Sequence, residues 1–228
     1  MPLRIAIAGA GRMGQAIARL AAGRDDVTVA GMWRRGDDLA ALLDAADVVI
    51  DFSLPEGTAE VLDGVRAAAK PLVCGVSGLD ERQLAALDAA AGEVAVVYDR
   101  NMSRGIAVLD AAVRQVAGAL GEDFRVSIDE VHHVHKKDAP SGTALKLGEA
   151  VAAARGTSAD TVEYHSERRG EVPGDHSVHF RAATETLTLS HSVTTRDVFA
   201  EGALTAAAWV VAQPPGRYSM RDVLFGRR

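Results

Sequence analysis

The segment from Glu130 to Ala144, Glu-Val-His-His-Val-His-Lys-Lys-Asp-Ala-Pro-Ser-Gly-Thr-Ala, is the part of the chain densest in groups that move protons or hold anions. Three imidazoles (His132, His133, His135) and two ammonium groups (Lys136, Lys137) fall within six residues, and Asp138 follows them. Imidazole titrates near neutral pH, and a lysine among other cations gives up its proton more readily, so His132 and Lys136 are candidate proton donors. A metal centre is not expected: adjacent His132 and His133 on a strand point to opposite faces, and no cysteine lies nearby to complete a zinc set. The plain alternative is a solvated basic loop.

The second half of this segment reads as a helix entrance. Pro140 suits the entry, Ser141 or Thr143 can cap, and Ala144 to Ala154 is rich in helix formers. Free N–H groups at a helix start bind phosphate or carboxylate. Ahead of the cluster, Phe124-Arg-Val-Ser-Ile-Asp-Glu-Val alternates apolar and polar residues as a strand does. The cluster is therefore expected at a strand end facing an anion-binding helix start, a pocket for a small acidic molecule.

A second motif opens the chain. Leu3 to Ala8 is an apolar strand that runs into Gly9-Ala10-Gly11-Arg12-Met13-Gly14, and a helix is expected from Gln15 to about Ala22. This is G-x-G-x-x-G between a strand and a helix, the context of a dinucleotide site. Gly9 permits the tight turn, Gly11 lets a pyrophosphate approach the backbone, and Gly14 allows close packing of helix on strand. The alternative is an ordinary glycine-rich turn. The strand Val27 to Trp33 ends in Arg34-Arg35, where a cofactor without a 2′-phosphate usually meets an acid. Arginines there accommodate a 2′-phosphate, which favours NADPH, with NADH allowed. The alternatives are Asp37 or Asp38 on the ribose, or two solvated loop charges.

Strands and helices then alternate up to Tyr98, which predicts a doubly wound parallel sheet. Ligands in such sheets lie beyond the carboxyl ends of the strands. Loops 9–14, 33–36, 51–54, 75–78 and 99–102 all fall on that edge and should line one crevice. After Ser103 the character changes. A long amphipathic helix (Gly105 to Leu120) leads into a second module, and from Thr161 onward the chain is strand-like. Open mixed sheets of this kind often pair across subunits.

The totals fit one large or two modest domains: 228 residues, 48% hydrophobic and 25% charged, with net charge −6. The acidic balance argues against a nucleic-acid surface. The single Cys74 excludes an internal disulfide and fits a reducing cytosol. The start lacks a signal-peptide layout, and no apolar run approaches the ~20 residues of a membrane helix, so a cytoplasmic location away from membranes is expected.

The string Glu130-x-His132-His133-x-x-Lys136-x-Asp138-Ala-Pro-Ser-Gly142-Thr143-Ala resembles the signature of the 4-hydroxy-tetrahydrodipicolinate (dihydrodipicolinate) reductases of diaminopimelate and lysine synthesis. Further matches run the length of the chain: Gly-Arg-Met-Gly at 11–14, Asp-Phe-Ser at 51–53, Gly-Val-Ser-Gly at 75–78, Asn101-Met102-Ser103, His176, Arg196 and Tyr218-Ser-Met-x-Asp-Val-Leu. The resemblance implies an NADPH- or NADH-dependent reduction of a cyclic dicarboxylate, with loss of water. It implies proton donation by His132 or Lys136 and carboxylate binding by His133, Gly142 and Thr143. The cofactor would meet 9–14 and Arg34, its nicotinamide end held by Gly75, Val76 and Ser77 and by Asp99, Arg100, Asn101 and Met102. The implied architecture is a Rossmann-like dinucleotide domain (1–103 and 197–228) and a smaller α+β substrate and oligomerisation domain (104–196), assembled as a homotetramer. Rival readings are another two-domain nucleotide-dependent dehydrogenase, or a nucleotide-sensing protein without turnover.

Overall fold

The structure, a computed structural model, describes residues 1–226. In chain order its first half comprises β1 (Leu3–Ala8), α1 (Arg12–Ala21), β2 (Val27–Trp33), α2 (Leu39–Asp44), β3 (Val48–Asp51), α3 (Pro55–Ala67), β4 (Leu72–Cys74), α4 (Glu81–Ala91) and β5 (Ala95–Tyr98). Then come α5 (Arg104–Ala119), β6 (Arg125–His132), α6 (Gly142–Arg155), a 3-10 turn (Ala159–Thr161), β7 (Glu163–Arg168), β8 (Asp175–Arg181) and β9 (Thr186–Ser192). The chain closes with α7 (Asp197–Val210), β10 (Gly216–Tyr218) and α8 (Met220–Phe225). Two compact units result: Met1–Arg104 with the segment from Asp197 onward, and Gly105–Arg196.

The first unit is the expected α/β sheet, parallel throughout, in the order β10-β5-β4-β3-β1-β2. Its strands are runs of Val, Ile and Ala because both faces are covered. One face packs Ala6, Val49, Leu72 and Val96 against Leu39 and Leu43 of α2, Val61 and Val65 of α3, and Leu87 of α4. On the sheet α7 lies against α1 and reaches β3, β4 and β5. Gly202 lets α7 press onto the backbone at Met102, since a Cβ there would strike the Met102 carbonyl.

Several element limits differ from the sequence reading for local reasons. Helix α1 starts at Arg12 rather than Gln15, because Gly11 is itself the N-cap. Helix α3, which the sequence suggests over Ala59 to Ala69, starts at Pro55, whose fixed φ and missing N–H suit a first helical position. Strand β10, a parallel edge strand on β5, has no counterpart in the sequence reading; three residues behind Pro214-Pro215 carry no alternation to detect.

The second unit is built on a mixed sheet, β7-β6-β8-β9, with β6 and β7 parallel and the other pairs antiparallel. Its apolar face sends Val126, Ile128, Val178 and Phe180 into a core with Leu109 and Val113 of α5 and Leu147 and Val151 of α6. The opposite face is polar: Ser177 bonds Ser190 at 2.9 Å, and His179 lies 2.8 Å from Thr188 and 3.1 Å from Asp129. Along β6 the period of two carries the inward face from Val126 and Ile128 to Glu130 and His132, so an apolar stripe ends in two buried polar side chains.

Candidate functional site

In the first unit the glycine turn has the geometry its spacing suggests. Gly9 sits at φ +100°, and its N–H donates to the Trp33 carbonyl at 2.9 Å. A Cβ at Gly14 would run into the Gly9 carbonyl, so only glycine lets α1 lie this close to the turn. At Gly11 a Cβ would meet nothing within 4 Å, which leaves the space above the turn open. The start of α1 has no side-chain cap and no acid in its first turn. An anion approaching these amides meets open backbone and the positive end of a helix.

The strand order places the topological switch between β1 and β3, where open α/β sheets bind their ligands. A cavity of about 350 Å³ lies there, lined by Gly9 to Gly11 after β1, Trp33 to Arg35 after β2, and Phe52 to Leu54 with Gly57 after β3. Arg34 and Arg35 are exposed at its rim. The two neighbouring acids have local tasks instead: Asp37 accepts from the Arg34 amide at 2.9 Å, and Asp38 caps α2 through the Ala41 amide at 3.1 Å. The fit to a dinucleotide phosphate is therefore good, on the open cradle at Gly11 and the uncapped α1.

The other expected cofactor residues are not among those lining the cavity. Gly75, Val76 and Ser77 follow β4 on the same sheet edge, and the missing Cβ of Gly75 leaves room for the Phe52 ring, itself part of the cavity wall. Of the group after β5, Asp99 accepts from the Met220 amide at 3.2 Å and the Asn101 amide at 3.3 Å. Met102 is buried, so the side chains of Asp99 and Met102 face the protein, whereas Arg100 is exposed. Arg12 and Met13 belong to the first turn of α1. Asp51, at the end of β3, was matched only as part of Asp-Phe-Ser at 51–53 and was given no role. Its carboxyl is fully buried, accepts from the Ser53 amide at 2.8 Å, and is pushed up to about 6 by burial.

In the second unit the predicted cluster divides. His132 is buried, His133 and Lys136 are half-buried, and His135 and Lys137 are exposed. The Nδ1 of His132 meets Glu130 Oε2 in a short hydrogen bond. Burial pushes the imidazole pKa down, and Glu130 opposes this without cancelling it. Lys136 Nζ lies 2.9 Å from Asp138 Oδ1. Asp138 sits below the usual carboxylate range: partial burial works upward, and the Lys136 ammonium with the Gly142 amide outweighs it. The capping question resolves to Ser141, whose Oγ accepts from the Ala144 amide at 3.1 Å, so Gly142 and Thr143 form the first turn of α6. The His133 ring is held down by burial first and then by the Arg196 guanidinium.

Two residues here were given no role by the sequence reading, although His176 was among the matched positions. Arg168, which opens a stretch rich in glycine and charge (168–176) that the sequence suggests is a loop, instead ends β7 in register with His132 and forms a fork on Glu130 at 2.8 and 2.9 Å. His176, opposite Glu130 on β8, bonds Ser141 Oγ through Nε2 at 3.1 Å and stands edge-on to His132 with ring centres 5.1 Å apart. The signal that could have found Glu130 and His132 as a pair was the period of β6 itself.

Burial pushes His176 down to about 3 from 6.5, against the pull of Glu130 and with the push of His132, His191 and Lys136. Folding thus keeps it neutral where the unfolded chain protonates it. Between these two values the unfolded state binds the extra proton, so this residue makes stability fall as pH falls, by about 1.4 kcal/mol per pH unit. The expected outcome is that His176→Asn flattens the loss of stability between pH 6.5 and 4 relative to the parent, measured by urea unfolding followed by circular dichroism.

No group of His, Cys, Asp and Glu able to hold a metal is found among the described residues, and no helix among them is long and apolar enough to cross a membrane.

Comparison with known proteins follows this division. The model for the N-terminus of dihydrodipicolinate reductase matches residues 3–102, and that for the C-terminus matches 105–224, running past Asp197 where the chain rejoins the first unit. The 4-hydroxy-tetrahydrodipicolinate reductase of Caulobacter vibrioides is 43% identical over 98% of this chain and 97% of its own. That of Xanthomonas campestris is 44% identical over 98% of each. Among solved structures, dipicolinate-bound dihydrodipicolinate reductase from Paenisporosarcina superposes with a TM-score of 0.79 at 22% identity, over 96% of this chain and 98% of that one. A diaminopimelate dehydrogenase from Corynebacterium glutamicum shares the fold at a TM-score of 0.60 and 12% identity, over 99% of this chain and 96% of that one. The chain belongs to the dihydrodipicolinate reductase family.

Proposed function

We propose that this protein reduces 4-hydroxy-tetrahydrodipicolinate to tetrahydrodipicolinate with NAD(P)H, with loss of water, in diaminopimelate and lysine synthesis. The observation that carries the reading is the buried Glu130–His132 pair beside the Lys136–Asp138 pair and the start of α6, within a chain that also bears an open glycine cradle. The substrate carries two carboxylates. His133, Lys136 and the first turn of α6 at Gly142 and Thr143 bind them, as amides at a helix start and cations do. Glu130 accepts from Nδ1 of His132, which leaves Nε2 as the nitrogen that serves the substrate. Arrival of a dianion favours the charged imidazole, offsetting the downward push of burial and readying a proton. His132 or Lys136 then delivers that proton to the reduced ring.

The cofactor's phosphates rest on Gly9, Ala10, Gly11, Arg12, Met13 and Gly14, its adenosine end at Arg34, and its nicotinamide end at Gly75, Val76 and Ser77 and at Asp99, Arg100, Asn101 and Met102. When bound, the reduced nicotinamide supplies the hydride. NADPH is the preferred form, because Asp37 and Asp38 are committed to backbone amides while Arg34 and Arg35 face the cavity rim. Replacing both arginines with alanine is expected to weaken NADPH about 10- to 100-fold, the loss of one or two charge-assisted hydrogen bonds, and to leave NADH nearly unchanged. Fluorescence titration of the two cofactors reads the difference, and an equal loss for both removes the 2′-phosphate role.

The second unit forms the substrate and oligomerisation domain, and the protein works as a cytoplasmic homotetramer. The uncovered polar face of the β7-β6-β8-β9 sheet supports this assembly, and light scattering on the purified protein tests it. The activity is tested by oxidation of NADPH in the presence of pyruvate, aspartate semialdehyde and the enzyme that condenses them. Failure of that mixture, with other amino-acid or semialdehyde substrates consumed instead, selects the rival dehydrogenase. No turnover with any of them selects a nucleotide-sensing role.

A further inference from the structure

Residue 168 is where the second unit concentrates its polar bonding. On parallel β6 and β7 the Cα of Arg168 is the partner of His132, so the two side chains share a face of the sheet. A guanidinium has five N–H donors in one plane, and each has an acceptor here. Nη1 donates to Glu130 Oε2 at 2.9 Å and to the Glu167 carbonyl at 2.7 Å. Nη2 donates to Glu130 Oε1 at 2.8 Å and to the Asp138 carbonyl. Nε donates to the Lys136 carbonyl at 3.3 Å. One side chain therefore holds both the carboxylate that grips His132 and the backbone that carries Lys136 and Asp138.

Glu130 gains its role from the same fork. It is fully buried, and its two oxygens accept from Arg168, from His132 Nδ1 and from the Ser141 amide at 3.2 Å. Burial works to raise its pKa, and the Arg168 fork with the His132 bond more than reverses that, so its pKa lies below the usual range. A charged Glu130 keeps the neutral His132 protonated on Nδ1 and turns Nε2 outward from the pair. Nε2 has a tight neighbour: a Cβ at Gly174 would sit 2.9 Å from it. The imidazole is thus held by Glu130 on one nitrogen and given clearance by a glycine at the other.

We infer that Arg168 is a positioning residue for the reduction, fixing His132 through Glu130 and Lys136 through the backbone of its own loop, so that a single guanidinium sets both proton-bearing groups. The inference rests on the reading of His132 and Lys136 as the proton donors. Lysine cannot replace arginine in this role, because an ammonium has three donors and no planar fork.

The test uses the full chain with Arg168→Lys, Arg168→Gln and, as control for the underlying reading, His132→Gln. Arg168→Lys is expected to lower kcat at least tenfold while KM for NADPH stays within twofold. Arg168→Gln is expected to do the same and to displace the kcat–pH limb of His132 from the parent position, since the guanidinium that holds Glu130 charged and opposes a charge on His132 is lost. Added methylguanidinium should restore part of the Arg168→Gln rate. In 15N spectra of labelled histidine, the Nδ1–H form of neutral His132 should give way to a mixture of tautomers. If Arg168→Gln fails to fold, Arg168→Lys with its tautomer spectrum decides alone. Parent-like kcat, pH limb and tautomer in the arginine variants, with His132→Gln inactive, overturn the positioning role only. Parent-like turnover in His132→Gln overturns the proton-donor reading and this inference with it.

Discussion

His132→Gln and Lys136→Ala are each expected to lower kcat by about 10²- to 10³-fold, the usual worth of a general acid, while the NADPH dissociation constant stays within about twofold of the parent value. The split follows from where the groups sit. Both belong to the second unit, whereas the glycine cradle and the arginine rim belong to the first. His132 is the more buried, with one ring nitrogen engaged by Glu130; Lys136 is half-buried and paired with Asp138. The glutamine variant keeps a hydrogen-bonding partner for Glu130 but has no group that titrates near neutrality. The alanine variant removes an ammonium that is also proposed to hold a carboxylate, so its KM for the dicarboxylate should rise while that of His132→Gln changes little. Stopped-flow and steady-state kinetics on purified, folded protein check the pair. Unchanged turnover in either variant removes that residue from the chemistry.

Glu130→Gln is expected to destabilise the second unit by about 3 kcal/mol, the lower end of what breaking one partner of a buried ion pair costs. The carboxylate has no exposure at all, and Arg168 is only 20% exposed, so the orphaned guanidinium is left facing an amide that cannot neutralise it. The urea midpoint should fall by roughly 1–2 M for ordinary denaturant slopes. The sign with pH follows from the depressed carboxyl. Its stabilisation is present above the unfolded value near 4.5 and is lost as pH falls through the lower folded value. The parent should therefore lose stability on acidification in that window, and Glu130→Gln should lack that component. A variant as stable as the parent at pH 7 would mean that the buried pair is offset within the fold, and the expected loss would be wrong. Because His176 adds its own acid sensitivity at higher pH, comparing Glu130→Gln with His176→Asn separates the two windows.

These expectations draw on features of unequal visibility. The glycine turn could be read from the chain because its three glycines act within six residues: one turns, one clears space, one packs. The parallel sheet was equally plain, since strands covered on both faces must be runs of Val, Ile and Ala. The proton-bearing string 132–138 was visible as composition. His132 and Lys136 were singled out within it, but their burial was not legible, because exposure separates His132 from His135 and Lys136 from Lys137 only once β6 ends and the loop turns away.

By itself the sequence determined the order of the strands along the chain, the character of each unit and the identity of the residues that carry the proposed chemistry, because those signals are local periodicities and short spacings. Tertiary structure alone decided that Arg168, 38 residues from Glu130, would clamp it, that His176 would close against Ser141 from 35 residues away, and that α7 and β10 would complete a sheet begun at Leu3. Such partners share no period and no spacing with one another. They meet because a buried carboxylate must find its donors wherever the fold supplies them, and only the folded register says where that is.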